Sequence, residues 1–109
     1  MNNISVAVPT YYSSAFISKT IDSLKHTNVV NEIVITDDSE SNKEFKRLTD
    51  EVNNSLENSD IKLKLIQNPS KLGGFKNKYY SITQTNNNFV YQIDSDNLAN
   101  KSSLKFIEE

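Results

Sequence analysis

Cysteine is absent from this sequence, and histidine, arginine and glycine are scarce. The lack of cysteine excludes a disulfide framework and thiolate chemistry. Because His26 is the sole histidine, ordinary zinc sites are excluded, and a Ser-His-Asp triad would depend on a residue near a helix end. The two glycines, Gly73 and Gly74, form no G-x-G-x-x-G or G-x-x-x-x-G-K-[ST] segment, so the common glycine-based phosphate loops are missing. Any phosphate site in this chain must therefore be built in another way.

Charge and hydrophobicity define the broad class of protein. A chain of 109 residues with 36% hydrophobic and 24% charged residues is typical of one small soluble domain. The net charge is −2 and the basic residues are scattered, which argues against nucleic acid as a partner, since its recognition needs a clustered basic face. No apolar run approaches a membrane span, and the first residues lack a signal-peptide pattern. These features predict a cytoplasmic protein that would associate with membranes only through parts absent from this chain.

Four apolar runs rich in β-branched and aromatic residues predict strands. They cover residues 4–8, 32–36, 61–65 and 89–93. The third run alternates apolar residues with lysines, which is typical of an edge strand because lysine discourages further pairing. The first two are continuously apolar, as expected for strands that are buried on both faces of a parallel sheet.

Amphipathic segments between and after these strands predict four helices. The first has apolar residues at 17, 21 and 24 and can be capped by Ser13 or Ser14. The second begins with a capping box formed by Ser41 and Glu44 and continues to residue 56. The third is marked by apolar residues at 75, 79 and 82, and a fourth is expected over 101–109.

The alternation of strands and helices predicts an α/β fold with three layers and a parallel sheet. If the alternating strand lies at an edge, the strand order 3-2-1-4 follows. The order in which strands are added to the sheet then reverses between strands one and four. Ligands of such sheets bind at this point, outside the carboxyl ends of the strands. Three loops would meet there, over residues 9–12, 37–38 and 94–97.

The fourth predicted strand ends in an acid cluster, Asp94-Ser95-Asp96-Asn97. Two carboxylates at a strand end can bind a hard divalent cation such as Mn²⁺ or Mg²⁺, which in turn binds phosphate oxygens. The same residues also make a good solvated turn. A calcium loop of the EF-hand type is excluded, because its sixth position would be Ala99 and its twelfth Lys105.

The other two loops offer groups that suit a nucleoside. Tyr11 or Tyr12 provides a ring against which a base can lie, although aromatic residues more often reflect packing. An aspartate at the end of the second strand can accept a hydrogen bond from a base N–H, such as N3–H of uracil. The same acid pair can alternatively act as a solvated cap before the second helix.

Four segments, taken together and in order, resemble the N-terminal, donor-binding half of family 2 glycosyltransferases with the A-type fold. They cover residues 4–11, 33–39, 68–77 and 91–96, and so span nearly the whole chain. Each segment is weakly specific by itself, but four in register are strong. The resemblance implies a nucleotide-diphospho-sugar transferase fold in which 1–109 form a single donor-binding subdomain.

The resemblance also implies roles for residues at the strand ends. Asp38, with Asp37 beside it, would bond uracil, and Asp96 with Asp94 would bind Mn²⁺ or Mg²⁺ on the diphosphate. Lys76 stands where the family has an arginine, and it lacks the bidentate fork of that residue. The implied nucleotide-binding residues are Pro9, Thr10, Tyr11, Asp37, Asp38, Lys71, Lys76, Asp94 and Ser95.

The implied reaction is metal-dependent transfer of a sugar from a nucleotide-diphosphate sugar, UDP-sugar in particular, with inversion. The acceptor would be a hydroxyl of a saccharide or a lipid-linked acceptor, as in polysaccharide biosynthesis. The general base would belong to an acceptor half, which is expected beyond residue 109 and leaves the catalytic residues unknown. The Ser39-Glu40 pair replaces the usual Gly-Ser of the family, and Asn97 replaces a third acid.

Two other functions are compatible with the sequence. The chain could be a non-catalytic nucleotide-binding module or a truncated, inactive fragment, and a missing half would expose an apolar face that promotes self-association. A signalling domain of the receiver type is less favoured, because its acid pair would follow the first strand, which here ends in Pro9-Thr10. Binding of a nucleoside diphosphate distinguishes the first two functions from the third.

Overall fold

A computed structural model describes residues 3–94. The acid-cluster residues 95–97 and the expected helix over 101–109 lie outside this range. No helix within residues 3–94 is long and apolar enough to cross a lipid bilayer. The elements are β1 (Ile4–Thr10), α1 (Ile17–Lys25), β2 (Val30–Asp37), α2 (Asn42–Ser55), β3 (Lys62–Gln67), α3 (Gly74–Thr83) and β4 (Phe89–Gln92).

The four strands form one parallel sheet with the order β3-β2-β1-β4, which confirms the expected fold. The alternating strand β3 is at an edge, as its lysines indicated. In the register of β1 and β2, Thr10 lies beside Asp37. Beyond β4, the backbone N–H of Ile93 still donates to the carbonyl of Ala7 at 3.1 Å. The ends of β1 and β2 and the residue after Ile93, Asp94, therefore face the same side of the molecule.

One face of the sheet carries the apolar core. Alternate residues of β1 and β2 pack there against α1 and α2, because successive side chains of a strand point to opposite faces. The stripe expected for α1 is fully buried, as are Leu48 and Val52 of α2. The central residues of this core are Val6, Val8, Ile17, Ile21, Leu24, Ile33, Ile35, Leu48 and Val52.

The α3 helix packs on the opposite face through polar residues. The helix marked by Phe75, Tyr79 and Ile82 is present, but Phe75 is 84% exposed and Tyr79 is 68% exposed. The buried residues of α3 are Asn77 and Ser81. The right-handed β3-α3-β4 crossover runs back over the sheet and so places α3 opposite α1 and α2. The apolar stripe of α3 consequently faces outward.

The start of α1 differs from the expected cap. The N-cap residue is Phe16, and no side chain caps the helix there, so the assignment of Ser13 or Ser14 as the cap is wrong. The carbonyl of Ser13 instead accepts hydrogen bonds from the backbone N–H groups of Phe16 and Ile17, both at 3.0 Å. A tight backbone turn thus provides an acceptor for two of the N–H groups at the start of α1.

The capping box expected at α2 is half formed. The Ser41 hydroxyl accepts a hydrogen bond from the Glu44 backbone N–H at 3.1 Å, as expected for an N-cap. The Glu44 carboxylate does not return to Ser41. It accepts from the backbone N–H and the hydroxyl of Ser14, at 2.9 and 3.0 Å, and so joins α2 to the turn before α1.

A buried carboxylate, Glu32, lies near the amino-terminal end of β2. It accepts hydrogen bonds from the Ser5 hydroxyl at 2.5 Å and from the backbone N–H and side-chain amide of Asn86 at 2.9 and 2.6 Å. Asn87 in turn donates to the Ser5 hydroxyl. Burial raises the pKa of Glu32, but these hydrogen bonds and the charge of Lys64 outweigh it and leave the pKa below its usual value. The cluster fixes the loop that leads into β4.

Candidate functional site

A cleft of about 490 Å³ lies at the carboxyl ends of β1 and β2, beside the start of α3. The cleft lies where the sequence predicts a ligand site, at the point where the order of the parallel strands reverses. Most of the residues expected to bind nucleotide line it, whereas Asp37 and Lys76 do not; Ser95 and Asp96 lie outside the described residues. The expected residues that line the cleft are Pro9, Thr10, Tyr11, Asp38, Lys71 and Asp94.

Asp38 is 2% exposed and anchors the loop before α3. Its Oδ1 accepts hydrogen bonds from the Asn68 side-chain amide at 3.0 Å and the Leu72 backbone N–H at 2.8 Å. Its Oδ2 accepts from the Gly73 backbone N–H at 2.9 Å. Gly73 has φ +89°, a conformation that residues with a Cβ rarely adopt. Since each carboxylate oxygen can accept about two hydrogen bonds, the bond from Gly73 leaves one acceptor position on Oδ2 of this cleft-lining residue.

Two asparagines connect this carboxylate to the sheet. The Asn68 amide donates to Asp38 and to Oδ1 of Asn77, the latter at 2.9 Å. The Asn77 amide then donates to the backbone carbonyls of Thr36 and Thr10, at 3.0 and 3.4 Å. Neither asparagine was assigned a role from the sequence. Their position on both sides of the glycine pair was the available signal, but the partners lie up to 67 residues away in the chain.

Asp37 points into the protein. Its two carboxylate oxygens accept from the hydroxyls of Thr10 at 3.0 Å and Ser39 at 2.7 Å. Burial raises the pKa of Asp37 above its usual value, although the hydrogen bonds from Ser39 and Thr10 oppose the shift. The structure therefore places Asp37 as a tie between β1 and the loop after β2, and Asp38 as the acid that borders the cleft.

The rim of the cleft is aromatic and cationic. The rings of Tyr11 and Tyr12 pack edge to face, with centroids 4.9 Å apart and planes at 86°. Tyr12 adopts a positive φ of 53°, which turns the chain sharply after β1. The ammonium of Lys71 lies 4.7 Å from the centroid of the Tyr11 ring. Such a contact is attractive because the ring face carries partial negative charge.

Asp94 is placed at the cleft together with a lysine that the sequence analysis did not single out. The Lys78 ammonium lies 3.7 Å from Oδ1 of Asp94, and both side chains are about half exposed. Exposed pairs of this kind contribute little to stability. Lys78 lines the cleft and Lys76 does not, because the helical twist of α3 turns the two lysines in different directions.

The oxygen ligands at the cleft suit a hard cation only in part. Within residues 3–94 no three histidine, cysteine or acidic side chains cluster tightly enough to bind a metal ion. Asp94 presents a partly exposed carboxylate at the cleft. Carboxylate oxygen is the ligand that Mn²⁺ and Mg²⁺ prefer, so Asp94 fits one position of such a site.

A buried hydroxyl below the cleft has no partner. Among the described residues, none forms a hydrogen bond with Oγ1 of Thr36, which is fully buried. Replacing Thr36 with valine should therefore raise the free energy of unfolding by about 1 kcal/mol, because an unsatisfied polar group leaves the interior. Urea unfolding measures this change. Thr10→Val is the matched comparison and should destabilise, because the Thr10 hydroxyl is bonded to Asp37; a loss of stability in Thr36→Val would contradict the expectation.

Comparison with known protein families identifies the class. Residues 5–107 match the model of "Glycosyl transferase family 2". The match covers nearly the whole chain, and the chain therefore belongs to this family of glycosyltransferases. The sequence matches no curated protein at a significant level.

Solved structures show the same fold. The N-terminal region of S. aureus TarS (residues 1–349) aligns with 98% of this chain, at 28% identity and a TM-score of 0.73. The mannosyltransferase PcManGT from Pyrobaculum calidifontis, solved with GDP-Man and Mn²⁺, aligns with 93% at 20% identity and a TM-score of 0.74. This chain spans 31% of the first structure and 30% of the second. The α/β sheet with order 3-2-1-4 thus corresponds to part of a longer chain in each.

Proposed function

We propose that this chain is the donor-binding part of a glycosyltransferase that uses a nucleoside-diphosphate sugar, with UDP-sugar as the preferred donor. The cleft at the carboxyl ends of β1 and β2 carries this proposal. It combines a buried acceptor, Asp38, an exposed ring, Tyr11, and a carboxylate, Asp94, in one cavity of about 490 Å³. Asp38 and Tyr11 suit a base, which needs a hydrogen-bond acceptor and a ring to stack on, and Asp94 suits the cation that a diphosphate needs.

The base is assigned from the free acceptor position on Asp38. Oδ2 of Asp38 accepts one hydrogen bond, from Gly73, and a base with an N–H at its pairing edge can supply the second. Uracil presents N3–H, whereas the unmodified cytosine ring presents an acceptor at that atom. Guanine also presents a ring N–H, and the fold of PcManGT, solved with GDP-Man, makes GDP the second candidate.

The metal is assigned to Asp94 together with Asp96. A divalent cation bound there would neutralise the diphosphate and stabilise it as a leaving group. Lys78 also lines the cleft, 3.7 Å from Oδ1 of Asp94, and its charge would add to the positive potential around the phosphates. The Mn²⁺ in the PcManGT structure agrees with a cation of this kind.

Transfer itself requires an acceptor hydroxyl and a base that deprotonates it. We propose an inverting reaction, in which the acceptor oxygen attacks the anomeric carbon and the nucleoside diphosphate departs from the opposite side. No residue of the described chain is assigned as the general base. The residues that bind base and ribose fix the orientation of the anomeric carbon, which is their contribution to the rate.

Calorimetric titration with nucleoside diphosphates tests the proposal. UDP, GDP, dTDP and CDP are added to the wild-type chain with and without Mn²⁺, and to Asp94→Asn and Asp96→Asn. We expect UDP to bind most tightly and Mn²⁺ to strengthen binding by about tenfold or more, the size of a charge-assisted contact with phosphate. Both asparagine variants should lose the strengthening by Mn²⁺, while the exposed Asp60→Asn control should retain it.

Each alternative has its own outcome in the same titration. Tighter binding of GDP would overturn the uracil assignment, and binding that ignores Mn²⁺ would overturn the metal assignment. Failure of all four nucleotides to bind would contradict the donor-site proposal. A chain that binds UDP but neither hydrolyses nor transfers sugar from a UDP-sugar, when assayed within its full-length protein, would be a non-catalytic binding module.

A further inference from the structure

Lys71 occupies the surface of the cleft on which a base would stack. Its ammonium lies 4.7 Å from the centroid of the Tyr11 ring, and both residues line the cleft. The Tyr11 side chain is 54% exposed. The ion pairs among the described residues involve three other lysines, Lys25, Lys46 and Lys78, so the ring contact is what positions the Lys71 ammonium in the free protein.

A base and an ammonium compete for one face of a tyrosine ring. An exposed cation–π contact changes an equilibrium constant by about two- to fivefold. Stacking of a base on an aromatic ring uses the same π-face. Tyr12 packs edge to face against Tyr11, which leaves less ring surface to share. A base that stacks over Lys71's position must therefore displace the ammonium.

The loop around Lys71 allows this displacement without a change of backbone. The next two residues, Leu72 and Gly73, are tied to Asp38 through their backbone N–H groups. The Lys71 side chain itself is exposed and carries its charge on a flexible four-carbon stem. The ammonium can consequently move several ångströms while the loop that carries it stays in place.

We propose that Lys71 is a specificity residue that selects for ligands carrying both a base and phosphates. The proposal rests on the proposed function of the cleft as a nucleoside-diphosphate site. In the free protein Lys71 covers Tyr11; a bound base takes the ring, and the ammonium moves to the diphosphate. A nucleoside without phosphates must break the Lys71–Tyr11 contact and receives nothing in exchange. Lys71 thus weakens the binding of uridine and strengthens the binding of UDP.

Opposite effects of one substitution on two ligands test this inference. Uridine and UDP are titrated without metal into the wild-type chain, Lys71→Met, Tyr11→Leu and Tyr11→Leu/Lys71→Met, and binding is followed by NMR, which measures weak affinities. Methionine keeps most of the apolar stem and removes the charge. We expect Lys71→Met to bind uridine about two- to fivefold more tightly. It should bind UDP about fivefold more weakly, because a charge-assisted hydrogen bond to the diphosphate outweighs the ring contact that Lys71 gives up.

Two controls make the result specific. Lys62→Met removes an exposed lysine at the amino-terminal end of β3 and should change neither affinity. In the Tyr11→Leu background, the further substitution of Lys71 should no longer improve uridine binding, because the competing ring is gone. In the wild-type protein, the resonances of the Lys71 ε-methylene protons should lie upfield because of the ring, and should move downfield when UDP is added.

The outcomes separate this inference from the function on which it rests. Suppose that the wild-type chain binds UDP, but that Lys71→Met leaves both affinities unchanged or changes the affinities for uridine and UDP in the same direction. Lys71 is then an ordinary contact and the inference is wrong. An ε-methylene resonance that does not move on UDP binding would also overturn it. If the wild-type chain binds neither ligand, the proposed donor site itself is wrong, and the inference falls with it.

Discussion

Replacing Asp38 with asparagine is expected to lower the free energy of unfolding by about 3 kcal/mol and to abolish measurable UDP binding. Asp38 accepts three hydrogen bonds from N–H donors while almost fully buried. Asparagine has the same shape, but its side-chain NH₂ group would face an N–H donor that now bonds to a carboxylate oxygen of Asp38. At least one of the three donors is then left without an acceptor, and the acceptor position proposed for uracil N3–H is lost or weakened.

Urea unfolding and calorimetric titration measure the two effects of Asp38→Asn. Asp60→Asn is the control, because it makes the same chemical change at an exposed position in the loop before β3 and should alter stability by less than about 0.5 kcal/mol. Adding UDP at high concentration should partly restore the variant's stability if any binding remains. Wild-type stability in Asp38→Asn would show that the loop before α3 is held by other contacts.

Replacing Glu32 with glutamine should cost about 2 kcal/mol of stability at neutral pH and should leave nucleotide binding unchanged. The Glu32 carboxylate accepts from Ser5 and twice from Asn86. The side-chain NH₂ group of glutamine would point toward the hydroxyl or N–H groups that now donate to the carboxylate. The cluster is at the amino-terminal edge of the sheet, away from the cleft, so the effect should be confined to folding.

The pH dependence of this loss has a definite sign. The pKa of Glu32 lies below its usual value in the folded protein, so its contribution is fully present above the unfolded pKa of 4.5 and is lost as pH falls through the lower folded value. The stability difference between wild type and Glu32→Gln should therefore shrink as the pH is lowered below about 4.5 in urea titrations. Glu57→Gln, an exposed control, should show little difference at any pH, and a difference that grows with acid would contradict the assignment.

Asp37 should behave in the opposite way. Burial raises its pKa, so the contribution of this group is favourable below its unfolded pKa of 3.8 and is lost as pH rises through the folded value. Glu32 and Asp37, which lie at opposite ends of the sheet, thus differ in how burial affects their pKa values. The hydrogen bonds and the nearby charge at Glu32 more than offset the effect of burial on its pKa, whereas the hydrogen bonds to Asp37 do not. A cation near the cleft would favour the ionised form of Asp37.

The sheet order was predictable because it depends on patterns within single segments. Alternating lysines marked the edge strand, and continuous apolar runs marked the central ones. The fates of Asp37 and Asp38 could not be separated in this way. Adjacent residues at a strand end point in opposite directions, and which one borders the cleft depends on partners in distant segments, such as Ser39 for one and Gly73 for the other.

The outward stripe of α3 escaped sequence reasoning for a related reason. Phe75 and Tyr79 have the spacing of a buried face, yet the helix is held to the sheet through Asn77 and Ser81. Asn77 is bonded to the backbone carbonyls of Thr36 and Thr10. A polar anchor to backbone atoms leaves no trace in the hydrophobic pattern. Periodicity therefore located the helix correctly and could not orient it.

The bonds from Leu72 and Gly73 to Asp38 also determine how the loop before α3 should exchange its amide hydrogens with solvent. These two N–H groups lie outside any helix or strand ladder, where exchange is usually fast. Their acceptor is a nearly fully buried carboxylate that is itself joined through Asn68 and Asn77 to the sheet. The two amides can open only when that network opens. They should exchange as slowly as amides in the centre of β1, so that the loop beside the binding cleft behaves as part of the core.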